Sequence, residues 1–528
     1  MTPKPTNLIF PLRSACIHLV AMLGASAHAQ FSYHHAYAPG TTSDFHSDKY
    51  GWSVATTEDW IVVGSPFANA SAGEVRVYPA EDFLNGTSAV PIALTDTIGP
   101  ASNQKFGASV DAHGSTIVVG NCSAQGGSEY CGADAAWVSV FNLVDGSWAE
   151  SQRIPRPAGA TGRFGLALAV HDNRLAIGGA RVGTTQDHRE AVYLYHRDDS
   201  GADFLPTDTL QGEPGSGDAS DDFGYAMDMT AEHLVIGARA DDELGPDAGA
   251  AYVYTNDGTP PFYGYLVRKL LASDGGAEDL FGLSVALLED VCAVGAPQKH
   301  FNGEPVGAAY VFQQNEGFTD NWGQVSTLFP DTAHQQPTMQ FGSSVALSAD
   351  RIAVGAPQDS LGTAHLQGSV TIFGGEASNW ERVQTIEPKT DEHVNEVSRS
   401  GTSLAFANGA LLIGAPWAIV NSGSAFPTGG VLVYADPLLG IDQFASLNAR
   451  LWPVPATDYL MVDVGAGHPT PMRTIVHDAI GRVVLDQSFT FGNAPVRLDL
   501  SSLPAGLCSI SILPQESTRP FRALFIRQ

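Results

Sequence analysis

Seven times along this chain a glycine is followed thirteen residues later by a second glycine, and this spacing constrains the fold more than any other feature of the sequence. The pairs are Gly51/Gly64, Gly107/Gly120, Gly165/Gly178, Gly224/Gly237, Gly282/Gly295, Gly342/Gly355 and Gly401/Gly414, and the first members stand 56, 58, 59, 58, 60 and 59 residues apart. A steady period of this length marks a repeat architecture, in which each unit buries its apolar faces against its neighbours. Around the first glycine the side chains alternate as they do in a strand. Phe281, Leu283, Val285 and Leu287 form a bulky row, while Gly282, Ser284 and Ala286 leave the other row bare. The division recurs as Phe106/Val110 against Gly107/Ser109 and as Phe341/Val345 against Gly342/Ser344/Ala346. Such a strand suits a place where sheets converge, the bulky face of one nesting into the bare flank of the next. The segment before the second glycine is apolar on both faces, as in Ile61-Val62-Val63 and Leu411-Leu412-Ile413, and reads as an interior strand. A third strand ends each unit in an aromatic, from Tyr78 to Tyr434, and a fourth often opens at Trp, as at Trp148, Trp322 and Trp380. Short turns such as Asp172-Asn173 and Asn408-Gly409 join the first two strands. Four short strands in each of seven units describe an all-β chain, a seven-bladed β-propeller. The last unit runs out after Tyr434, so Phe31 to Tyr37, FSYHHAY, is expected to supply its fourth strand and close the ring.

Composition excludes some partners. Lys+Arg 27 against Asp+Glu 56 gives a net charge of -29, which repels nucleic acid and anionic lipid surfaces. At the N-terminus, Lys4 and Arg13 precede a mostly apolar run, Ala15 to Ala27, and Ala27-His28-Ala29 offers the small residues of a signal-peptidase site. The run falls short of the roughly 20 residues a membrane span needs. Residues 1–29 are therefore expected to be a signal peptide, with no transmembrane span elsewhere and a destination outside the cell or on its outer surface. Cys122 and Cys131 lie nine apart in a loop-like stretch, where an oxidising compartment favours a local disulfide over two free surface thiols. Cys292 occupies a column of Ile and Leu in the repeat, which suits packing and not chemistry.

The phrases FGLSVA…AVGAP, Gly282 to Pro297, and FGSSVA…AVGAP, Gly342 to Pro357, resemble the FG-GAP repeat of integrin α-chain propellers and of many exported bacterial proteins. The resemblance runs from about residue 31 to 436 and implies one propeller domain within residues 30–440. Single units depart from the pattern: Ser400 replaces the aromatic, and Asn121-Cys122, Gly179-Ala180 and Ala238-Arg239 replace Ala-Pro. From Leu447 the period stops. LWPVPATDYLMVDV, HDAIGRVVLD, VRLDLSSLPAGLCSISI and FRALFIRQ resemble the C-terminal sorting domain of the type IX secretion system, with Val454 and Cys508 departing from its usual wording. That likeness implies a small β-sandwich over residues 447–528 that engages the type IX secretion machinery.

Candidate chemistry is sparse. Gly282-Leu-Ser-Val-Ala approaches a nucleophile elbow, but Ser53, Ser109, Ser284, Ser344 and Ser403 share one column of five units, as packing residues on the bare face would. The fixed spacing of thirteen leaves too few turn residues for the calcium loop of integrin-type blades. Asp218, Asp221 and Asp222 precede the fourth unit, while Asp241, Asp242, Glu243 and Asp247 follow its second strand. Those loops emerge on one propeller face, where they could share a Ca²⁺ ion or simply form a solvated acidic rim. Asp111 and Asp228 interrupt the bare face near strand ends, where they could line the central channel or, as the blander reading has it, simply meet water. The His residues number 16 and are scattered through turns and loops.

The expectation is an exported, non-enzymatic binding or adhesion protein whose propeller loops recognise an extracellular protein or glycan. The connections Gln298 to Gly307 and Trp417 to Gly429 are the candidate recognition loops, with Trp417 and Phe426 as aromatic contacts for sugars. The alternatives are a secreted hydrolase with a site at the channel and a structural envelope component.

Overall fold

The computed structural model describes residues 31–37, the strands and most connections between 48 and 435, and the strands between 450 and 527. Residues 1–30, 38–47, 97–103, 124–133, 183–188, 213–220, 361–365, 389–396, 420–427, 436–449 and some shorter links lie outside the described residues.

Residues 32–435 build seven antiparallel sheets of four main strands each, which run in sequence order in blades 1 to 6, and blade 3 adds a two-residue strand, Thr161–Gly162. Blade 1 comprises Ser53–Thr56, Trp60–Ser65, Glu74–Pro79 and Ile92–Leu94, and blades 2 to 6 repeat the plan. In blade 7, Ser403–Ala407, Ala410–Ala415 and Gly430–Ala435 come from the end of the repeat, and the fourth strand is Ser32–Tyr37. The first strand of each blade lies against that of the next, and blade 7 lies against blade 1. The ring is closed.

The second strands are buried on both faces, as their uniform apolar composition requires: Ile61, Val62 and Val63 are fully buried, as are Leu411, Leu412 and Ile413. Cys292 is likewise fully buried among Val294, Phe281, Leu287 and Phe312, and burial pushes its thiol up.

The thirteen-residue spacing has a geometric cause. The N–H of Gly107 donates to the carbonyl of Gly120 at 3.1 Å, and the same bond ties Gly282 to Gly295 and Gly342 to Gly355 at 3.0 Å. The first glycine therefore pairs with the second across one hairpin. All seven first glycines hold φ between 83° and 95°, the left-handed region that penalises a Cβ. The second glycine touches the next blade. A methyl group on Gly64 would sit 2.2 Å from the carbonyl oxygen of Gly107, and at the other six joints the distance is 2.0 to 2.4 Å, ending with Gly414 against Gly51. The five serines do more than fill the bare face. Ser53, Ser109, Ser284, Ser344 and Ser403 donate to the carbonyls of Gly107, Gly165, Gly342, Gly401 and Gly51, at 2.6 to 3.0 Å.

The C-terminal strands pair into two antiparallel sheets. One joins Arg450–Trp452, Tyr459–Asp463 and Val496–Asp499; the other joins Val483–Thr490, Pro471–His477, Gly506–Pro514 and Phe521–Arg527.

Candidate functional site

A propeller offers two faces and a channel. The turns joining strands one to two and three to four emerge on one side, called here the hairpin face; the remaining connections emerge on the other, the loop face.

The expected acidic cluster lies on the loop face, and its members divide. Asp222 pairs with Arg239 at 2.7 Å and with Arg163 at 3.3 Å. Asp241 is buried and accepts from the Tyr252 hydroxyl at 2.9 Å, while Lys269 Nζ lies 2.8 Å from Asp241 and 2.7 Å from Glu243. Asp242 accepts from the backbone N–H of Asp247 at 2.8 Å. Asp221 stays close to Asp241 and Asp242, and burial, with repulsion from both, pushes its carboxyl up to about 6. Three cations thus stand where one divalent ion would have to neutralise the carboxylates. Asp218 lies outside the described residues.

Trp417 is half-buried on the same face. Lys49 Nζ sits 3.9 Å from its ring centroid, Arg399 4.3 Å, and the Trp52 ring 5.6 Å. These contacts hold the Trp417 ring in place. Phe426 and Cys131 lie outside the described residues, as does the side chain of Cys122. The connection from Gln298 to Gly307 folds as a small hairpin, His300–Phe301 against Glu304–Pro305, held by buried Lys299, which bonds Asp279 at 3.1 Å.

Asp111 and Asp228 are tied between blades. Asp111 accepts from the N–H of Val170 in blade 3, and Asp228 from that of Leu287 in blade 5, each at 2.7 Å. Enclosure by protein pushes Asp111 up to about 7 and Asp228 up to about 6, and the charge of Asp228 raises Asp111 further.

The hairpin face holds an open depression of about 730 Å³ spanning blades 2, 3 and 4. Its floor is Arg197, buried to 2 % exposure. The guanidinium donates to Thr116 Oγ1 at 2.6 Å, Asn142 Oδ1 at 3.1 Å and Asn173 Oδ1 at 3.2 Å, and lies 4.4 Å from the Phe204 ring. It thereby fixes the turns of two blades. The wall carries Asp172, Arg174, Asp198 and Asn256, together with His196 stacked on Phe262, with ring centroids 4.4 Å apart and planes 29° apart.

At the rim stand His113, His171 and Asp172, whose ligand atoms all lie within 4.8 Å of one another; among the described residues this is the group of His, Cys, Asp or Glu close enough to hold a metal ion. The sequence carried a signal for it. His113 and His171 each stand six residues after the first glycine of adjacent units, one period apart, so they fall in the same column of neighbouring blades. Treating each histidine as isolated hides that coincidence.

Comparison with known proteins bears on the fold and the route. The FG-GAP repeat matches residues 214–254, 266–312 and 322–373, and the secretion system C-terminal sorting domain matches residues 450–520. No curated protein matches the chain. Among solved structures, the periplasmic gluconolactonase PpgL of Pseudomonas aeruginosa aligns over 83% of this chain and 98% of its own, at 11% identity and a TM-score of 0.39. The N-terminal domain of Nup159 aligns over 78% and 96%, at 12% identity and a TM-score of 0.37. No described helix is long and apolar enough to cross a membrane. The chain is a secreted seven-bladed propeller protein whose blades 4 to 6 match the FG-GAP repeat, followed by a type IX secretion sorting domain.

Proposed function

We propose that this protein is a non-enzymatic binding protein of the outer cell surface or the surrounding medium, and that its hairpin face recognises a neutral glycan. One observation carries the choice of face. The depression over blades 2 to 4 combines an aromatic stack, His196 on Phe262, with several fixed polar groups, whereas Trp417 on the loop face is already flanked by Lys49 and Arg399. Sugars present apolar C–H faces and many hydroxyls, so an aromatic ring beside rigid donors and acceptors suits them. The net charge of -29 favours a neutral ligand over an acidic one.

The test is a glycan array probed with the secreted chain, followed by titration of any hit against Phe262→Ala and Asp198→Asn. Loss of a buried aromatic–sugar contact should weaken binding at least tenfold in Phe262→Ala. Unchanged affinity in both variants would move the site elsewhere, and turnover of a glycoside by the wild-type chain would replace binding with hydrolysis.

A further inference from the structure

We propose that His113, His171 and Asp172 form a transition-metal site of the class that takes Zn²⁺, clipping blade 2 to blade 3 at their first turns. His113 ends the first strand of blade 2, Ser109–His113, and His171 ends that of blade 3, Leu168–His171, with Asp172 as the next residue. His113 Nε2 lies 3.1 Å from Asp172 Oδ1, and His171 Nδ1 lies 3.4 Å from Asp172 Oδ2. The two nitrogens approach different oxygens of the one carboxylate, and the three ligand atoms lie within 4.8 Å of one another, so a modest side-chain rotation would bring them to the roughly 3.3 Å separation that bonds of about 2.0–2.1 Å to a tetrahedral ion impose. The imidazole rings stand 4.1 Å apart at 37°, and each turns one nitrogen toward the same carboxylate.

A second observation points to a ligand. His171 Nδ1 is a buried atom that faces Asp172 Oδ2 at 3.4 Å with no well-aligned hydrogen bond between them, so the carboxylate and the nitrogen converge without satisfying each other fully. Arg174 is the competing cation, with Nη2 3.8 Å from Asp172 Oδ2, but its Nη1 is anchored to the carbonyl of Ala231 at 3.1 Å. Two imidazoles and one carboxylate favour Zn²⁺ over Ca²⁺ or Mg²⁺, which require oxygen ligands. Three protein ligands leave a fourth position open toward the depression. This inference does not rest on the glycan reading, because metal uptake is measured without any sugar.

The experiment is calorimetric titration of the metal-stripped secreted chain with Zn²⁺ alone, checked by elemental analysis after dialysis. One Zn²⁺ per chain and a melting temperature that rises with Zn²⁺ concentration are expected. His113→Gln and His171→Gln should each weaken uptake at least tenfold, while Asp221→Asn on the opposite face leaves it unchanged. Because a variant can fail to fold, the wild-type chain is also treated with diethyl pyrocarbonate: Zn²⁺ should shield His113 and His171 and leave exposed His300 reactive. Absence of saturable uptake, retention of uptake in both histidine variants, preference for Ca²⁺, or equal reactivity of the three histidines with and without Zn²⁺ would each overturn the site.

Discussion

At Gly295 a methyl group would stand 2.0 Å from the carbonyl oxygen of Gly342 and 2.3 Å from Ser284 Oγ. Neither neighbour can retreat, since the first is backbone of the next blade and the second is bonded to that same carbonyl. Gly303 provides the contrast, with φ of 90° and nothing within 4 Å of a notional Cβ. Gly303→Ala should lose only the roughly 1–2 kcal/mol of a left-handed non-glycine residue. Gly295→Ala should lose at least the ~1–3 kcal/mol of an overpacked interior, and Ser284→Ala about 1 kcal/mol for one hydrogen bond. Urea denaturation of the three variants checks the order. If Gly295→Ala is no worse than Gly303→Ala, blade contact is not what reserves the position for glycine.

Among the elements, the strand Ser32–Tyr37 carries the most contacts that a local description misses. It pairs with Gly430–Ala435 of blade 7, while His35 Nε2 donates to the carbonyl of Phe83 in blade 1 at 2.8 Å and Tyr37 stacks on the Phe83 ring at 4.1 Å. Burial, assisted by His34, depresses His35 to about 4. The folded strand thus stays neutral while the unfolded chain, with its histidine near 6.5, takes up a proton. Stability from this group is complete above pH 6.5 and is lost as pH falls toward 4, on the order of 1–2 kcal/mol for a partly exposed ring. Hydrogen exchange of residues 430–435, corrected for intrinsic rate, should be faster at pH 5 than at pH 7.5, and His35→Gln should remove the difference. Equal acid sensitivity in the variant would assign the effect to another group. The strand's pairing was legible because seven units required a fourth strand that the C-terminal side did not supply. The acid response was not, since it depends on Phe83, 48 residues away. The acidic loops show the converse limit: sequence placed Asp221, Asp222, Asp241 and Asp242 on one face, but Arg163 and Lys269, which disperse them, come from other strands and connections. Periodicity reports what repeats, and sites are made where single units differ.

For the molecule as a whole, closure turns seven equivalent joints into one cooperative unit, because no joint can open without loosening the strand that joins blade 7 to its neighbours. Phe31 tests this. It is 4 % exposed, packs among Ile372, Ile386, Leu411 and Tyr434 of blades 6 and 7, and offers its carbonyl to Gln384 Nε2 of blade 6 at 2.8 Å. Counting the contacts of His35 and Tyr37 with blade 1, a segment of seven residues touches three consecutive blades. Phe31→Ala removes a buried aromatic and should destabilise by about 3–5 kcal/mol. In a closed ring that loss is shared by every blade, so tryptophan fluorescence from Trp148 in blade 2 and Trp380 in blade 6 should report one coincident urea transition, shifted in the variant by the same amount at both sites. An open stack would behave otherwise: repeats that contact only their neighbours unfold from the weakened end, and blade 6 would melt well before blade 2. Separate transitions in single-tryptophan versions of Phe31→Ala would therefore show that the N-terminal strand decorates the ring without closing it.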